Sequence, residues 1–392
     1  MEESTLNASA AAATQGLGAE PSASGAALEP RPNPWIDRIS PYQGGEGHID
    51  GFDRIVKLSS NENPLGPSPR AIEAFRRSAD TLAVYPDGAA EGLRGALAHV
   101  NGIDPDRVVC GAGSDEIISL LCYAFCGPGD QVIHSAHGFA MYRISTLAAG
   151  AEPVSVPEVD LRADPAAIAK AVNRRTKIIF LANPNNPTGT YLTSEELRTF
   201  IETIPPRVLI VLDGAYAEYM RVDDYEDGFA LVDAYPNVVT TRTFSKIHGL
   251  ASLRLGWGYG SSVVVSALNR LRGPFNVSAP ALAAGEAAVY DTGYVSACAI
   301  QNEVWRDWLT KELRSVGVEV PNSFGNFILP HFPSVGALTA ASADTFLRTR
   351  GIIARKMGGY GLPDYLRISI GNSNDCVQVA AALKEFAEEA QG

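Results

Sequence analysis

Lys246 follows Ser245 directly and precedes Arg254 by eight positions, in a stretch of small and hydroxylated residues. A lysine amine in a partly apolar pocket can lose its proton near neutral pH and condense with an aldehyde. A serine hydroxyl and an arginine nearby suit a phosphate dianion, which a guanidinium binds through two parallel hydrogen bonds. An aldehyde and a phosphate occur together in pyridoxal 5'-phosphate (PLP). Taken alone, the same residues also fit a solvated surface lysine.

Further candidate groups follow other predicted strands. The Gly-Ala-Gly-Ser turn at 111–114 opens a helix, where free backbone N–H groups and the helix dipole favour an anion. Residues 183–189, Asn-Pro-Asn-Asn-Pro-Thr-Gly, hold side-chain amides in a fixed loop. Asp213 ends an apolar strand, and a buried carboxylate needs a cationic or hydrogen-bonding partner such as a pyridinium N–H. Each feature has a structural alternative, namely a tight turn or a helix cap.

Strand and helix patterns alternate from about residue 90, which predicts a largely parallel sheet covered by helices on both faces. In such sheets ligands bind beyond the carboxyl ends of the strands. We therefore expect the candidate groups to meet at one edge of the sheet. The predicted strands are 107–110, 131–134, 153–156, 177–182, 208–213, 238–243 and 254–259. Further strands are predicted in the C-terminal part at 326–330, 352–355 and 365–370.

Composition divides the chain into four predicted parts. Residues 1–33 form an acidic extension rich in Ala, Ser and Gly, which we expect to be disordered because it cannot bury enough apolar surface. An N-terminal arm and strand follow at 34–60. Residues 61–285 are predicted to be the large domain, and 286–392 a smaller α/β domain that the strand near residue 55 joins.

The formal net charge of −12 argues against non-specific binding to nucleic acid or to anionic membranes. No uninterrupted apolar run is long enough to span a bilayer. The five cysteines include no CxxC pair, and Cys122 and Cys126 have helical spacing in an apolar stretch. We therefore expect buried free thiols rather than a metal site, and a cytoplasmic protein.

Together these stretches resemble the histidinol-phosphate aminotransferase family of fold-type I PLP-dependent enzymes, from about residue 34 to the C-terminus. That family implies a large domain with a mostly parallel central sheet, a smaller C-terminal α/β domain and PLP as cofactor. The segments that carry the resemblance are 40–42, 57–64, 85–86, 185–189, 245–246, 351–355 and 366–368.

The resemblance implies roles around the cofactor ring. Lys246 would bond covalently to the cofactor and move a proton from the substrate α-carbon. Asp213 would pair with the pyridine nitrogen and keep it protonated. Asn186 and Tyr216 would hydrogen-bond the ring hydroxyl oxygen, and Phe139 would stack on the ring.

It also implies roles at the phosphate. Ser114, Asp115, Ser245 and Arg254 would hold the cofactor phosphate. Tyr85 would reach that phosphate from a neighbouring subunit, so the active unit would be a homodimer.

At the substrate, Arg367 would bind an α-carboxylate, and Arg355 and Tyr42 the distal phosphate of histidinol phosphate. The implied reaction transfers the amino group of histidinol phosphate to 2-oxoglutarate. The alternatives are an aromatic amino-acid aminotransferase, an amino acid phosphate decarboxylase of the same fold and a non-catalytic PLP-binding regulator.

Two features depart from the family pattern. Many members have Asp-Glu-Ala-Tyr where this chain has Asp-Gly-Ala-Tyr at 213–216. The glutamate is not a cofactor contact, so catalysis is not affected. His248 lies two residues beyond the lysine, and packing is the favoured interpretation over a cofactor contact.

Overall fold

The computed structural model describes residues 30–42 and 44–389. Most of the predicted disordered extension, up to residue 29, lies outside the described residues. Within the described ranges, the helices are α1 Pro69–Ser78, α2 Glu91–Asn101, α3 Ser114–Phe125, α4 Ala140–Ala148, α5 Pro165–Ala171, α6 Ser194–Thr203, α7 Phe229–Ala234, α8 Ser262–Leu271, α9 Ala279–Tyr290, α10 Thr292–Arg314, α11 Ala340–Arg348 and α12 Ser373–Glu389.

The strands are short and alternate with helices through most of the chain. They are β1 Val56–Lys57, β2 Val108–Gly111, β3 Gln131–Ser135, β4 Glu152–Val156, β5 Thr176–Ala182, β6 Leu209–Asp213, β7 Val238–Thr243, β8 Gly256–Tyr259, β9 Phe327–Ile328, β10 Ile352–Ile353, β11 Arg355–Lys356 and β12 Leu366–Ser369.

A seven-stranded sheet lies at the centre, with strand order β2-β8-β7-β6-β5-β3-β4. Its pairs are parallel except that β8 runs antiparallel to both neighbours. Successive residues of β5 alternate between two apolar clusters: Ile178 and Phe180 belong to one, and Ile179 and Leu181 to the other. The sheet is therefore buried on both faces, as expected for parallel strands linked by helices.

Local sequence explains where several helices begin. At α6 the Thr193 hydroxyl accepts the backbone N–H of Glu196, whose carboxylate accepts the backbone N–H of Thr193 in return. At α1 the side chain of Ser68 caps the helix and Pro69 occupies its first position.

Two small sheets form beyond the central one. Strands β11, β12 and β9 make an antiparallel sheet, and β1 pairs in parallel with β10, placing Val56 opposite Ile352. The sequence predicted one strand at 352–355, but the chain changes partner at Ala354, so it forms β10 and then β11. An apolar cluster that includes Leu313, Ile368 and Leu383 packs α10 and α12 against these strands.

The predicted division between residues 285 and 286 falls within α9 and stays a prediction. No helix in the described part of the chain is long and apolar enough to cross a membrane.

Candidate active site

A cavity of about 230 Å³ opens at the carboxyl edge of the central sheet, where the small sheets face it. Loops that follow β2, β3, β5, β6 and β7 supply one side, and β11 and β12 supply the other. All of the predicted site residues except Tyr85 line this cavity: Tyr42, Ser114, Asp115, Phe139, Asn186, Asp213, Tyr216, Ser245, Lys246, Arg254, Arg355 and Arg367.

Arg254 organises one end of the cavity. Its Nη1 donates to Ser245 Oγ at 3.1 Å, and its Nη2 donates to Asp115 Oδ2 at 3.1 Å. Gly113 has a φ of +91°, and a Cβ built there would lie 2.5 Å from Arg254 Nη2. A glycine is therefore required in front of α3, where Ser114 and Asp115 offer the free N–H groups of the first helical turn. This end has the donors that a phosphate dianion needs.

Asp213 is the last residue of β6 and is 4% exposed. Its Oδ2 accepts a hydrogen bond of 2.7 Å from the Tyr142 hydroxyl, and its Oδ1 accepts one of 3.2 Å from the Ala215 N–H. Burial raises the pKa of the carboxyl group, whereas these hydrogen bonds oppose the rise. A cationic N–H in the cavity would stabilise the carboxylate further.

Lys246 lies in the loop after β7, and its Nζ donates to the Ser60 carbonyl oxygen at 3.1 Å. Burial lowers the pKa of the amine to about 8, and repulsion by the Arg367 guanidinium adds to this effect. An appreciable fraction of the amine is therefore neutral near physiological pH, which is the form that attacks a carbonyl.

Arg355 and Arg367 are opposite each other in the antiparallel pair β11–β12, and both line the cavity. Arg367 is buried; its Nη1 donates to Asn186 Oδ1 at 2.6 Å and its Nη2 to the Ser59 carbonyl at 2.9 Å. Its Nε has no hydrogen-bond partner among residues 30–42 and 44–389. Burial lowers the pKa of Arg367, and Arg355 contributes to the same shift. This end of the cavity is suited to an anionic ligand.

Comparison with known proteins identifies the chain. Residues 53–383 match the family described as aminotransferase class I and II. The histidinol-phosphate aminotransferase of Dinoroseobacter shibae is 52% identical over 92% of this chain and 98% of its own, and that of Paramagnetospirillum magneticum is 53% identical over 91% and 98%. The chain belongs to the histidinol-phosphate aminotransferase family.

A crystal structure of the histidinol-phosphate aminotransferase from Sinorhizobium meliloti in complex with pyridoxal-5'-phosphate is also similar to this chain. Its TM-score is 0.80 at 29% identity, over 86% of this chain and 92% of that one. The predicted family, the fold-type I architecture and the prediction of an aminotransferase are therefore confirmed.

The cavity of this aminotransferase has groups that are complementary to the parts of pyridoxal 5'-phosphate. Arg254 lies against Gly113 at the start of α3, beside the free N–H groups of Ser114 and Asp115, and Lys246 is a partly neutral amine in the same cavity. Asp213 supplies a buried carboxylate at a third point. A phosphate, an aldehyde and a pyridine nitrogen would each meet a complementary group.

Tyr85 lies outside the cavity of its own chain. It is 81% exposed, and its ring stacks on Phe275 at 4.7 Å. The exposed residues Leu82 and Val84 lie beside it in sequence. The placement leaves Tyr85 available to a second copy, and its role in the site stays a prediction.

Gly214, where this aminotransferase departs from its family, lies against a buried arginine. A Cβ at this position would be 1.5 Å from Nη1 of Arg242. Nε of Arg242 lies 3.6 Å from Glu218 Oε1, so Arg242 forms an ion pair with Glu218, which lies four residues after Gly214. The glycine therefore provides space for Arg242.

His248 packs in the manner expected of a structural residue. Its ring lies 4.8 Å from that of Phe244, and it is not among the residues that line the cavity. Burial lowers its pKa to about 4, so the imidazole is neutral at physiological pH.

Asn61, Tyr142 and Tyr360 are among the lining residues that sequence reasoning did not assign to the site. Tyr142 follows Phe139 by three positions at the start of α4, and this helical spacing was an available signal. Asn61 lies in the recognised 57–64 segment, but its contact with Tyr216 spans 155 residues and no local pattern reveals it.

Proposed function

We propose that this enzyme uses PLP to transfer the amino group of histidinol phosphate to 2-oxoglutarate, giving imidazole acetol phosphate and glutamate in histidine biosynthesis. The pairing of Arg355 with Arg367 in the cavity carries this proposal. Two guanidinium groups in one partly buried site repel each other, and anionic ligands relieve that repulsion. The names of the relatives support the choice of substrate.

Both proposed substrates meet the charge requirement. The dianionic phosphate of histidinol phosphate would lie between Arg355 and Tyr42, and Arg367 would contribute to the same field. Histidinol phosphate has no α-carboxylate, so its phosphate and the two carboxylates of 2-oxoglutarate use these cations in alternate half-reactions. A planar guanidinium binds both phosphate and carboxylate through paired hydrogen bonds.

PLP, when bound, supplies an electron sink for negative charge that develops on the substrate carbon. Lys246 would hold the cofactor covalently. The pKa of about 8 lets the Lys246 amine accept a proton from the substrate carbon that bears the amino group and release it again at neutral pH. The Ser60 carbonyl, 3.1 Å away, orients that amine.

The other cavity residues bind and orient the cofactor. Asp213 would pair with the pyridine nitrogen, and Phe139 would cover the ring. Asn186 Oδ1 already accepts from Arg367, so its amide nitrogen is the group that reaches the ring oxygen. Tyr216 donates to the same oxygen.

The phosphate contacts form a separate group in the proposal. Ser114, Asp115, Ser245 and Arg254 hold the cofactor phosphate at the start of α3. Their mutual hydrogen bonds, such as that of 3.1 Å between Arg254 and Ser245, preorganise the site.

The active form in this proposal is a cytoplasmic homodimer in which Tyr85 reaches the phosphate of the other subunit. The exposure of Tyr85 beside Leu82 and Val84 supports the dimer. Five free cysteines are compatible with a reducing compartment.

A half-reaction screen tests the substrate. The PLP form is mixed with histidinol phosphate, phenylalanine, tyrosine or aspartate, and the visible absorbance of the bound cofactor is followed. We expect histidinol phosphate to discharge this absorbance with the highest second-order rate constant. A higher constant for phenylalanine or tyrosine would instead assign an aromatic amino-acid aminotransferase.

A further inference from the structure

Three consecutive residues, 59–61, each hold one residue of the site. The carbonyl oxygens of the first two accept hydrogen bonds from Arg367 at 2.9 Å and from Lys246 at 3.1 Å. The third, Asn61, donates from Nδ2 to the Tyr216 hydroxyl oxygen at 2.9 Å. One short segment therefore sets the positions of three groups in the cavity.

The direction of the Asn61 bond follows from its neighbours. The backbone N–H of Asn61 can only donate, and it donates to Ser369 Oγ at 2.8 Å. The Ser369 hydroxyl then has its own proton to give, and Asn61 Oδ1 lies 3.0 Å away as the acceptor. The amide is thus oriented with Nδ2 towards Tyr216.

The orientation of the Asn61 amide determines where the Tyr216 hydroxyl can donate its proton. Because Nδ2 of Asn61 is a donor, the tyrosine oxygen acts as an acceptor in that bond. The phenol proton is not consumed there and remains available to an acceptor in the cavity, which Tyr216 lines.

The backbone of Asn61 is held as firmly as its side chain. The residue has a φ of +55° and is 1% exposed. Asn326 Nδ2 donates to the Asn61 carbonyl oxygen at 3.0 Å. Asparagine is one of the few residues besides glycine that adopts this left-handed conformation readily.

We propose that Asn61 is a positioning residue that directs the Tyr216 proton into the cavity, so that the phenol donates to the ring oxygen of the bound cofactor. The proposal rests on the proposed role of Tyr216 and adds the residue that fixes the direction of the Tyr216 hydrogen bond. A donor to this oxygen stabilises its anionic form, because hydrogen bonds to a charged acceptor favour the charged state.

The test uses the holoenzyme without substrate, so its result does not depend on the identity of the substrate. The readout is the pH midpoint at which the visible absorbance of the bound cofactor changes. Asn61→Gly keeps the left-handed backbone and removes the amide. Asn61→Asp keeps the shape but replaces the donor by an acceptor, which would draw the Tyr216 proton away from the cavity.

We expect both variants and Tyr216→Phe to raise the pH midpoint by about 0.5 to 1 unit, the size expected for one hydrogen bond. Combining Asn61→Gly with Tyr216→Phe should add no further shift, because without the Tyr216 hydroxyl there is no proton for Asn61 to direct. The turnover number should fall while the KM for each substrate changes little.

Asn237→Asp is the matched control. Asn237 lies just before β7, at the end of that strand away from the cavity, and its half-buried amide donates to the Val208 carbonyl oxygen. This variant should leave the midpoint unchanged.

An unchanged midpoint in Asn61→Gly, or additive shifts in the double variant, would overturn the proposal. So would an unchanged midpoint in Tyr216→Phe. If Asn61→Asp does not fold, Asn61→Gly alone decides the question. Failure of the histidinol phosphate assignment would appear only in the substrate screen and would leave these midpoints as they are.

Discussion

The hydroxyl group of Tyr142 donates a 2.7 Å hydrogen bond to Asp213 Oδ2, and both side chains are buried. The Tyr142 ring is fixed by parallel stacking on Phe180 at 4.6 Å and by an edge contact with Phe139 at 5.8 Å. Burial raises the pKa of Asp213, and the Tyr142 hydrogen bond counteracts that rise. Tyr142 therefore helps to keep a buried carboxyl group ionised.

Tyr142→Phe is expected to weaken PLP binding about tenfold at neutral pH, since a hydrogen bond to a charged group contributes roughly 1.5–3 kcal/mol. Without this bond the pKa of Asp213 rises further, so more of the carboxyl group is protonated and cannot pair with a pyridinium. The loss should therefore grow as the pH falls and shrink as it rises. Cofactor titration of the apoenzyme between pH 6 and 9 measures this effect, and a dissociation constant equal to that of the wild type at every pH would contradict it.

Asp213→Asn is expected to retain PLP but to lower kcat by at least about a hundredfold, the size of effect seen when one preorganised electrostatic contact is removed. A neutral amide cannot stabilise the pyridinium, so the developing negative charge loses its sink. Steady-state kinetics of the cofactor-saturated variant provide the measurement. Near-normal turnover would mean that Asp213 has a structural role only.

Lys246→Ala should abolish turnover and leave a folded protein that binds the cofactor non-covalently. Lys246→Arg is the charge-retaining control and should be equally inactive, because a guanidinium does not lose its proton at neutral pH. Borohydride reduction of the wild type, followed by peptide mapping, should place the cofactor on the peptide that contains Lys246. Labelling of a different lysine would refute the assignment.

Arg355→Ala should lower kcat/KM for histidinol phosphate by at least about a hundredfold, by analogy with the 2–5 kcal/mol lost on truncating a buried charge pair. Phenylalanine, if it is a substrate, should lose much less because it has no phosphate. Lys356→Ala is the matched control: it removes the next cation in the chain, whose side chain is 62% exposed and does not line the cavity. Equal losses for both substrates in Arg355→Ala would show that Arg355 positions the cofactor or the fold.

Tyr85→Phe should weaken PLP retention without changing the oligomeric state. In the proposed shared site the hydroxyl group makes the contact to the phosphate, whereas the ring is retained for stacking on Phe275. Sedimentation velocity and cofactor release are measured on the same preparation. A wild-type protein that sediments as a monomer at assay concentration and remains fully active would rule out the shared site.

Much of the fold followed from hydrophobic periodicity and from the glycines and prolines between elements. The strand predicted at 208–213 is β6 from Leu209 to Asp213, and that at 177–182 is β5 from Thr176 to Ala182. The rule that ligands bind at the carboxyl ends of parallel strands then brought Asp213 and Lys246 to one cavity. Both lie at or just beyond the end of a strand, and the sequence pattern that ends the strand therefore also predicts where the residue lies in the sheet.

Other features depend on contacts between distant parts of the chain. The bond between Asn61 and Tyr216 joins residues far apart in sequence, and the packing of Arg242 against Gly214 involves two different strand ends. The split of the predicted strand at Ala354 has the same origin, because β10 pairs with β1 whereas β11 pairs with β12. Local propensity does not reveal which partner a short strand will find.

The contacts made by residues 59–61 have a practical consequence for mutational mapping of this enzyme. Arg367 and Lys246 are held by main-chain carbonyl oxygens, which every substitution at Ser59 or Ser60 retains. An alanine scan would therefore score both serines as dispensable for these two contacts. Removing one residue from the segment, or replacing an amide by an ester during semisynthesis, would instead reveal how strongly catalysis depends on this stretch of backbone.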